Sequence, residues 1–185
     1  MALLGSKKTT IRLTLFVLVT SLIQANAESS VIREYQLKAA FLFNFAKFVS
    51  WPATAFNRPD SPFEICLLGE NPFGSALDET VQGMEVAGRS FVIRKISEAR
   101  QSLNCHILFI GVSERKRSRA VLEEIKGSGI LTVGETDDFL ASGGIIQLKL
   151  KDARLRFEID ADGATRERLK ISSKLLSLGD SRSKK

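Results

Sequence analysis

The side chains in this sequence with the widest choice of chemistry are two cysteines and one histidine. Cys66 and Cys105 could form a disulfide, hold a metal ion or supply a nucleophile. Their separation is far from the Cys-x-x-Cys spacing of a metal site, and His106 is the only histidine, so no second pair of metal ligands is present. Two interpretations therefore stay open: one disulfide, or two buried free thiols.

A catalytic cysteine–histidine pair is disfavoured by the position of His106. It directly follows Cys105 in an apolar run, where adjacent side chains of a strand point to opposite faces. The sequence also lacks a Gly-x-Ser-x-Gly nucleophile motif and any His, Asp and Glu cluster with metal spacing. We therefore expect a structural His106, no catalytic residue, no metal, no cofactor and no enzymatic activity.

One glycine-containing segment partly matches the motif of a phosphate-binding loop. Gly69 and Gly74 have the G-x-x-x-x-G spacing, but Ser75 and Ala76 follow where the motif needs a lysine and a serine or threonine. Pro72 also removes one backbone N–H from the loop. The segment is better interpreted as a turn between a strand and a helix.

Charge excludes one class of partner. The formal net charge is +6, but residues 28–179 hold 21 basic and 20 acidic residues, a net charge of +1. The basic excess lies at the two ends of the chain. Residues 28–179 therefore lack the excess of basic residues that nucleic-acid binding needs, and we expect no nucleic-acid partner.

The first 27 residues have the pattern of a cleaved secretory signal peptide. Lys7, Lys8 and Arg12 precede an apolar run at 13–23, and Ala25-Asn26-Ala27 is an A-x-A cleavage site. Eleven apolar residues form a helix of about 16 Å, roughly half of a bilayer core, so we expect no membrane insertion. We predict an exported, soluble domain over residues 28–179, followed by a flexible basic tail at 180–185.

Strands and helices alternate along the exported part of the chain. The apolar patterns predict helices at 31–49, 75–81, 114–126, 137–141 and within 164–176, and strands at 63–68, within 85–96, and at 105–111, 130–133, 145–150 and 155–159. We therefore predict a single α/β domain with a mainly parallel mixed β-sheet, flanked by helices on both faces and ending in an antiparallel hairpin.

The first predicted helix has a wider apolar arc than one core contact requires. We predict that Phe41, Phe48 and Trp51, with Phe43 on the opposite side, contribute to a partner or dimer surface. The alternative is that both sides of the helix pack inside the domain.

Six motifs, in order, resemble the YfiR family over roughly residues 31–178. They are residues 34–48 (EYQLKAAFLFNFAKF) followed by Trp51-Pro52, 66–69 (CLLG) with 71–74 (NPFG), 105–110 (CHILFI), 130–134 (ILTVG), Phe139 with 143–146 (GGII), and 172–176 (SSKLL). The resemblance implies a periplasmic protein with a Cys66–Cys105 disulfide. Some members have a second cysteine pair, which this sequence lacks.

The resemblance also implies a function in cyclic-di-GMP signalling and biofilm control. The best-known branch represses a membrane-bound diguanylate cyclase by holding its periplasmic sensory domain inactive, and an outer-membrane lipoprotein sequesters the repressor. The expected partners are thus the periplasmic domain of a diguanylate cyclase or sensor kinase, an outer-membrane lipoprotein, and a second copy in a homodimer. A small-molecule sensor and an uncharacterised enzyme are the alternatives.

Overall fold

The computed structural model describes residues 30–152 and 154–181. The predicted signal peptide lies outside these residues. The chain divides into two compact units, residues 1–35 and 36–185. In the first unit the described residues 30–35 are helical, and Val31 and Ile32 are exposed. Every strand of the described residues lies in the second unit, which has an α/β architecture. Within the described residues, no helix is both long and apolar enough to cross a membrane.

An eight-stranded mixed sheet forms the centre of the domain, in the order β10-β8-β7-β6-β5-β2-β4-β3. Its strands are β2 (Phe63–Leu68), β3 (Glu85–Val86), β4 (Arg89–Ile96), β5 (Ile107–Ile110), β6 (Leu131–Gly134), β7 (Ile146–Lys151), β8 (Arg154–Ile159) and β10 (Asp180–Ser181). The five strands from β4 to β7 in this order are parallel to one another, whereas β3 and β8 run antiparallel to their hairpin partners. Continuous apolar runs such as β5 are fully buried, as expected for central parallel strands.

Helices cover both faces of the sheet, as predicted. Residues 30–48 are helical and match the first predicted helix. We call the part in the second unit, residues 36–48, helix α1. The other helices are α2 (Ala76–Val81), α3 (Ser118–Glu124), α4 (Ala161–Arg166) and α5 (Ser173–Leu178). Helix α1 packs against Phe91 of β4 and Phe157 of β8 on one face. On the other face, Val121 and Leu122 of α3 share a buried cluster with Leu68 and Leu108.

The end of α1 is fixed by a second, two-stranded sheet that the sequence analysis did not predict. Strand β1 (Val49–Ser50) follows the helix and pairs antiparallel with β9 (Lys170–Ile171). The backbone N–H of Ser172 then donates to the carbonyl of Phe48 at 2.9 Å. This pairing sets the position of the last turn of α1, where Phe48 lies.

Two predicted segments differ from the structure. Residues 137–141 form successive turns instead of a helix, because they wrap around the fully buried Phe139. Gly134 and Gly144 approach this ring so closely that a Cβ on either glycine would overlap it. Asp180 and Ser181, assigned to the flexible tail, instead form β10 and pair parallel with the end of β8. The rest of the predicted tail lies outside the described residues.

Candidate partner-binding surface and disulfide

The structure contains the predicted disulfide. Cys66 lies in β2 and Cys105 just before β5, and their Cα atoms are 5.9 Å apart because these two strands are neighbours. The cysteines are 0% and 5% exposed, and they pack in the core beneath α3. The bond therefore ties two central strands together inside the core and not at the surface.

Glu64 lies beside this disulfide. One carboxylate oxygen and the two sulfur atoms are all within 4.8 Å of one another, a geometry that three metal ligands could share. In the bridged state neither sulfur is a thiolate, so the group does not offer the donors that zinc needs. The Glu64 carboxylate instead accepts a hydrogen bond from Arg94 Nη1 at 3.0 Å, which anchors the neighbouring strand β4.

Cys105 and His106 both lie just before β5, and their side chains have different surroundings: Cys105 belongs to the buried cluster beneath α3, whereas His106 contacts Phe56 and Phe63. Its ring packs against both Phe56 and Phe63, with centroid distances of 4.3 and 4.7 Å. The backbone N–H of Glu64 donates to Nδ1 at 3.0 Å, so the ring proton lies on Nε2 and is donated to the Ala55 carbonyl at 3.2 Å. The neutral imidazole thus joins β5 to the loop that follows α1.

Burial lowers the pKa of His106 from its ordinary value near 6.5. The hydrogen bond to Ala55 and the charge of Glu64 oppose this effect, whereas the charge of Arg89 adds to it. Protonation would also place a hydrogen on Nδ1. That hydrogen would face the backbone N–H of Glu64, which donates to Nδ1 in the neutral ring. The folded domain therefore disfavours the charged imidazole.

Stability is expected to fall on acidification because of His106. Below pH 6.5 the imidazole of the unfolded chain takes up a proton, whereas the folded domain takes up that proton only at lower pH. The free energy of unfolding therefore falls by up to about 1.4 kcal/mol per pH unit until the folded-state pKa is reached. Urea unfolding between pH 7.5 and 5 measures this slope. In a His106→Asn variant, the amide oxygen can replace Nδ1 as acceptor but does not titrate, so its slope should be smaller. Identical slopes for the two proteins would contradict the assignment.

The two sides of α1 contact different parts of the sheet. Phe41 packs edge-on against Phe157 of β8 at 5.4 Å, and the buried Phe45 contacts the same ring at 5.4 Å. Phe43, on the other side of the helix, contacts Phe91 of β4 at 5.6 Å. Part of the wide apolar arc therefore packs within the domain, because each side of the helix contacts an aromatic residue of the sheet.

Phe48 and Trp51 lie at the end of this helix. Trp51 packs edge-on against Phe63 at 4.9 Å. Its indole Nε1 is buried and has no hydrogen-bond partner within residues 30–152 and 154–181. The ring of Phe48 lies under Lys174 Nζ at 5.3 Å, and Lys47 Nζ covers Phe43 at the same distance.

We call Phe41, Phe43, Phe48 and Trp51 the aromatic surface. All four side chains are half-buried, so each keeps part of its ring at the domain surface while the rest packs inside. Lys47 and Lys174 are exposed and can move away from the rings that they cover. Three of the four residues lie in α1, and Trp51 lies in the segment that follows it. Their binding to a partner stays a prediction.

Sequence reasoning missed two members of the surrounding aromatic cluster, Phe56 and Phe91. Phe56 stacks on His106 and also contacts Phe63, and the Arg89 guanidinium lies 3.8 Å from its ring centroid. Arg89 also donates to the Ser61 carbonyl at 2.6 Å and so closes the loop between α1 and β2. The usable signal in the sequence was a single phenylalanine between Pro52 and Pro59 in the segment that joins α1 to β2.

The carboxyl ends of β2 and β5, a common ligand site in parallel sheets, are filled by the protein itself. Gly69 has φ +84°, and a Cβ there would overlap Glu114 and Ser113. Residues 69–74, which have the glycine spacing of a phosphate-binding loop, form a turn in which Asn71 Oδ1 accepts from the backbone N–H of Phe73 at 3.0 Å. Beside it, Lys38 of α1 forms a buried ion pair with Glu135, which follows β6.

Several cavities lie among the described elements. One, of about 130 Å³, is lined by residues of α3, α4 and the ends of β6 and β7, including Thr132 and Ser142. A polar cleft of about 500 Å³ lies beside the loop after α1 and is lined in part by Glu64, Asn104 and His106. Small-molecule sites usually enclose about 300–1,000 Å³ and are mostly apolar, and neither of these two cavities meets both conditions. Two further clefts, of about 470 Å³ beside α2 and β4 and about 440 Å³ beside α4 and α5, are more apolar but lie wide open to solvent.

Comparisons with known proteins identify one family. A family model described as YfiR/HmsC-like matches residues 35–180. A conserved domain protein from Vibrio cholerae O1 biovar El Tor matches 65% of this chain and 54% of its own, with 8% identity and a TM-score of 0.49. The ABC domain from Streptococcus pneumoniae, solved in complex with L-Trp, matches 64% and 54%, with 9% identity and a TM-score of 0.48. The matched region thus spans about half the length of both solved chains.

Proposed function

Because this chain belongs to the YfiR/HmsC-like family, we propose that it regulates a membrane-bound signalling enzyme by direct protein contact and has no catalytic activity. The family is known for periplasmic regulators in cyclic-di-GMP signalling and is regulatory, not enzymatic. The proposed partner is therefore the periplasmic domain of a diguanylate cyclase, with a membrane sensor kinase as the next class. An outer-membrane lipoprotein would compete for the regulator and so release the enzyme.

The observation that supports this proposal is the aromatic surface on and after α1. Aromatic side chains are enriched at protein interfaces, where a ring that is partly packed against its own domain contacts a partner with little loss of rotamer freedom. Phe43 and Phe48 satisfy this description, because each packs inside on one side and is covered outside by an exposed lysine. Displacing Lys47 and Lys174 would uncover both rings for a partner.

The disulfide supports the proposed compartment. Structural disulfides persist in oxidising compartments such as the periplasm and are rare in the bacterial cytosol. The Cys66–Cys105 bond lies in the core and joins two central strands, so folding of this domain is coupled to oxidation. A periplasmic location places the domain on the side of the inner membrane where a sensory domain of the enzyme is exposed.

A small-molecule sensor is the second candidate, and the polar cleft beside His106 favours it. A ligand there would contact the loop between α1 and β2, which carries Phe56, and could change the position of Trp51. Binding of a small molecule would then be an input to the same regulator. We rank this function second because the cleft is open and has few apolar walls for its size of about 500 Å³.

Deletion of the gene is expected to raise cellular cyclic-di-GMP several-fold where a membrane diguanylate cyclase is encoded beside it. Re-expression of the wild-type protein should restore the original level, since the regulator holds the cyclase inactive. Mass spectrometry of nucleotide extracts measures the change. No change on deletion, with the neighbouring cyclase shown to be expressed, would reject repression of that cyclase.

The aromatic surface can be tested with purified protein and the periplasmic domain of the same cyclase. We expect Phe43→Ala with Phe48→Ala to weaken binding at least 10-fold by calorimetry, a loss of about 1.4 kcal/mol that is typical of interface aromatics. A matched control replaces two exposed apolar residues outside the surface, Met84→Ala with Val112→Ala. Thermal melts check that both variants are folded, and equal affinities for the two variants would exclude this surface.

A further inference from the structure

The β7–β8 hairpin has one strongly basic face. Residues of a strand alternate between faces, and the register sets Lys149 opposite Arg156 and Lys151 opposite Arg154. All four cations therefore lie on the same face of the hairpin, as two consecutive cross-strand pairs of like charge. Such pairs destabilise a hairpin, and departures of this kind from local rules are concentrated at functional sites.

These charges are only partly neutralised within the domain. Lys149 donates to Glu158 at 2.8 Å, but Lys151, Arg154 and Arg156 are exposed and form no ion pair with any residue that the structure describes. Asp152 in the turn is the other acidic residue, so residues 149–152 and 154–158 have a net charge of +2. A local charge of this size contrasts with the nearly neutral body of the protein.

The outer edge of β8 next to these cations is open. Strand β10 pairs only with Glu158 and Ile159, so residues 154–157 have no strand neighbour on that side within the described part of the chain. Open edges bind extended peptides by strand addition, in which main-chain hydrogen bonds supply affinity and alternate side chains supply specificity. Arg154 and Arg156 are two residues apart and so present two cations along this edge.

We propose that this edge binds an extended acidic segment of a partner protein as an additional strand beside β8. Carboxylates at every second residue of that segment would face Arg154 and Arg156, with Lys151 next to them across the hairpin. An anionic membrane fits less well, because the exposed Leu150 lies on the opposite face from the cations and a flat bilayer cannot contact both. The proposal concerns a surface separate from the aromatic surface and does not depend on the identity of the signalling enzyme.

The probe is a fluorescein-labelled ten-residue peptide in which glutamate alternates with threonine. Its control has the same composition, with the five glutamates placed together. Fluorescence anisotropy is expected to show at least 10-fold tighter binding of the alternating peptide, and hydrogen exchange should show new protection at residues 154–157. Binding should weaken at least 10-fold between 50 and 300 mM salt, because it depends on charge.

Charge reversal locates the site. Arg154→Glu with Arg156→Glu should abolish binding, and Arg154→Gln with Arg156→Gln should weaken it, which gives a second reading if the first variant folds poorly. Lys116→Glu with Arg119→Glu changes the charge of exposed residues elsewhere by the same amount and should bind normally. Equal binding of the two peptides, or equal loss in the control variant, would overturn the proposal. So would binding to phosphatidylglycerol vesicles without any binding of the peptide.

Discussion

Replacing Lys38 with methionine is expected to lower the free energy of unfolding by about 3–5 kcal/mol. The side chains of Lys38 and Glu135 are only 5% and 4% exposed, so water does not screen their ion pair. Methionine fills a similar volume but removes the Lys38 charge that faces the buried Glu135 carboxylate. The second carboxylate oxygen accepts the backbone N–H of Val112 at 3.2 Å, so Glu135 cannot turn towards solvent without breaking that bond.

Two further variants separate this effect from a general effect of losing a lysine. Adding Glu135→Gln to Lys38→Met should recover most of the stability, because the amide is neutral and its oxygen can still accept from Val112. Arg100→Met breaks an ion pair whose side chains are 84% and 45% exposed, and it should cost less than about 1 kcal/mol. If urea unfolding gave similar losses for Lys38→Met and Arg100→Met, the burial argument would be wrong.

The Lys38–Glu135 pair also shows where sequence reasoning reaches its limit. Helical spacing offers Lys38 a local partner in Glu34, four residues earlier, and it contains no information about a carboxylate 97 residues away. The pair depends on the position of α1 over the carboxyl end of β6, which only the assembled sheet defines. Since α1 carries Phe41, Phe43 and Phe48, the same pair helps to position the aromatic surface.

The strands and the hairpin could be predicted because their signals are local. Continuous apolar runs gave β2, β5 and β6, and alternation gave β7 with β8. The two-residue pairs β1–β9 and β8–β10 could not be predicted, because they form where distant segments meet and have no periodicity of their own. The turns at 137–141 follow from tertiary packing around Phe139, which overrides a weak helical pattern.

The candidate site was predicted only as a set of residue types. The wide apolar arc on α1 was interpreted as a partner surface, with packing of both sides inside the domain as the alternative. The structure shows internal contacts on both sides, and binding to a partner stays a prediction. The arc could not show that Phe91 and Phe157, on strands far apart in the sheet, would supply many of these contacts. The sequence analysis placed Cys105 and His106 inside a strand, but β5 begins only at Ile107, and the two phenylalanine rings that stack on the imidazole come from other segments.

Removing the disulfide is expected to lower the free energy of unfolding by about 4 kcal/mol. Cys66 and Cys105 are 39 residues apart in sequence, and a cross-link of that length removes much of the conformational freedom of the unfolded chain. The variant is Cys66→Ala with Cys105→Ala, which leaves two small apolar side chains in a core site that is closed to water. Unfolding in urea, compared with the oxidised wild type, measures the difference.

The reduced wild-type protein is the control that separates the cross-link from the packing of the sulfur atoms. It keeps both sulfurs, so equal stability of the reduced protein and the double alanine variant would assign the loss to the cross-link. A loss below about 1 kcal/mol in both would contradict the prediction. A regulatory bond has a different signature: a Cys66→Ser variant that kept its stability but lost binding to the signalling enzyme would indicate redox control. Because the bond lies in the core between β2 and β5, we expect stability and binding to be lost together.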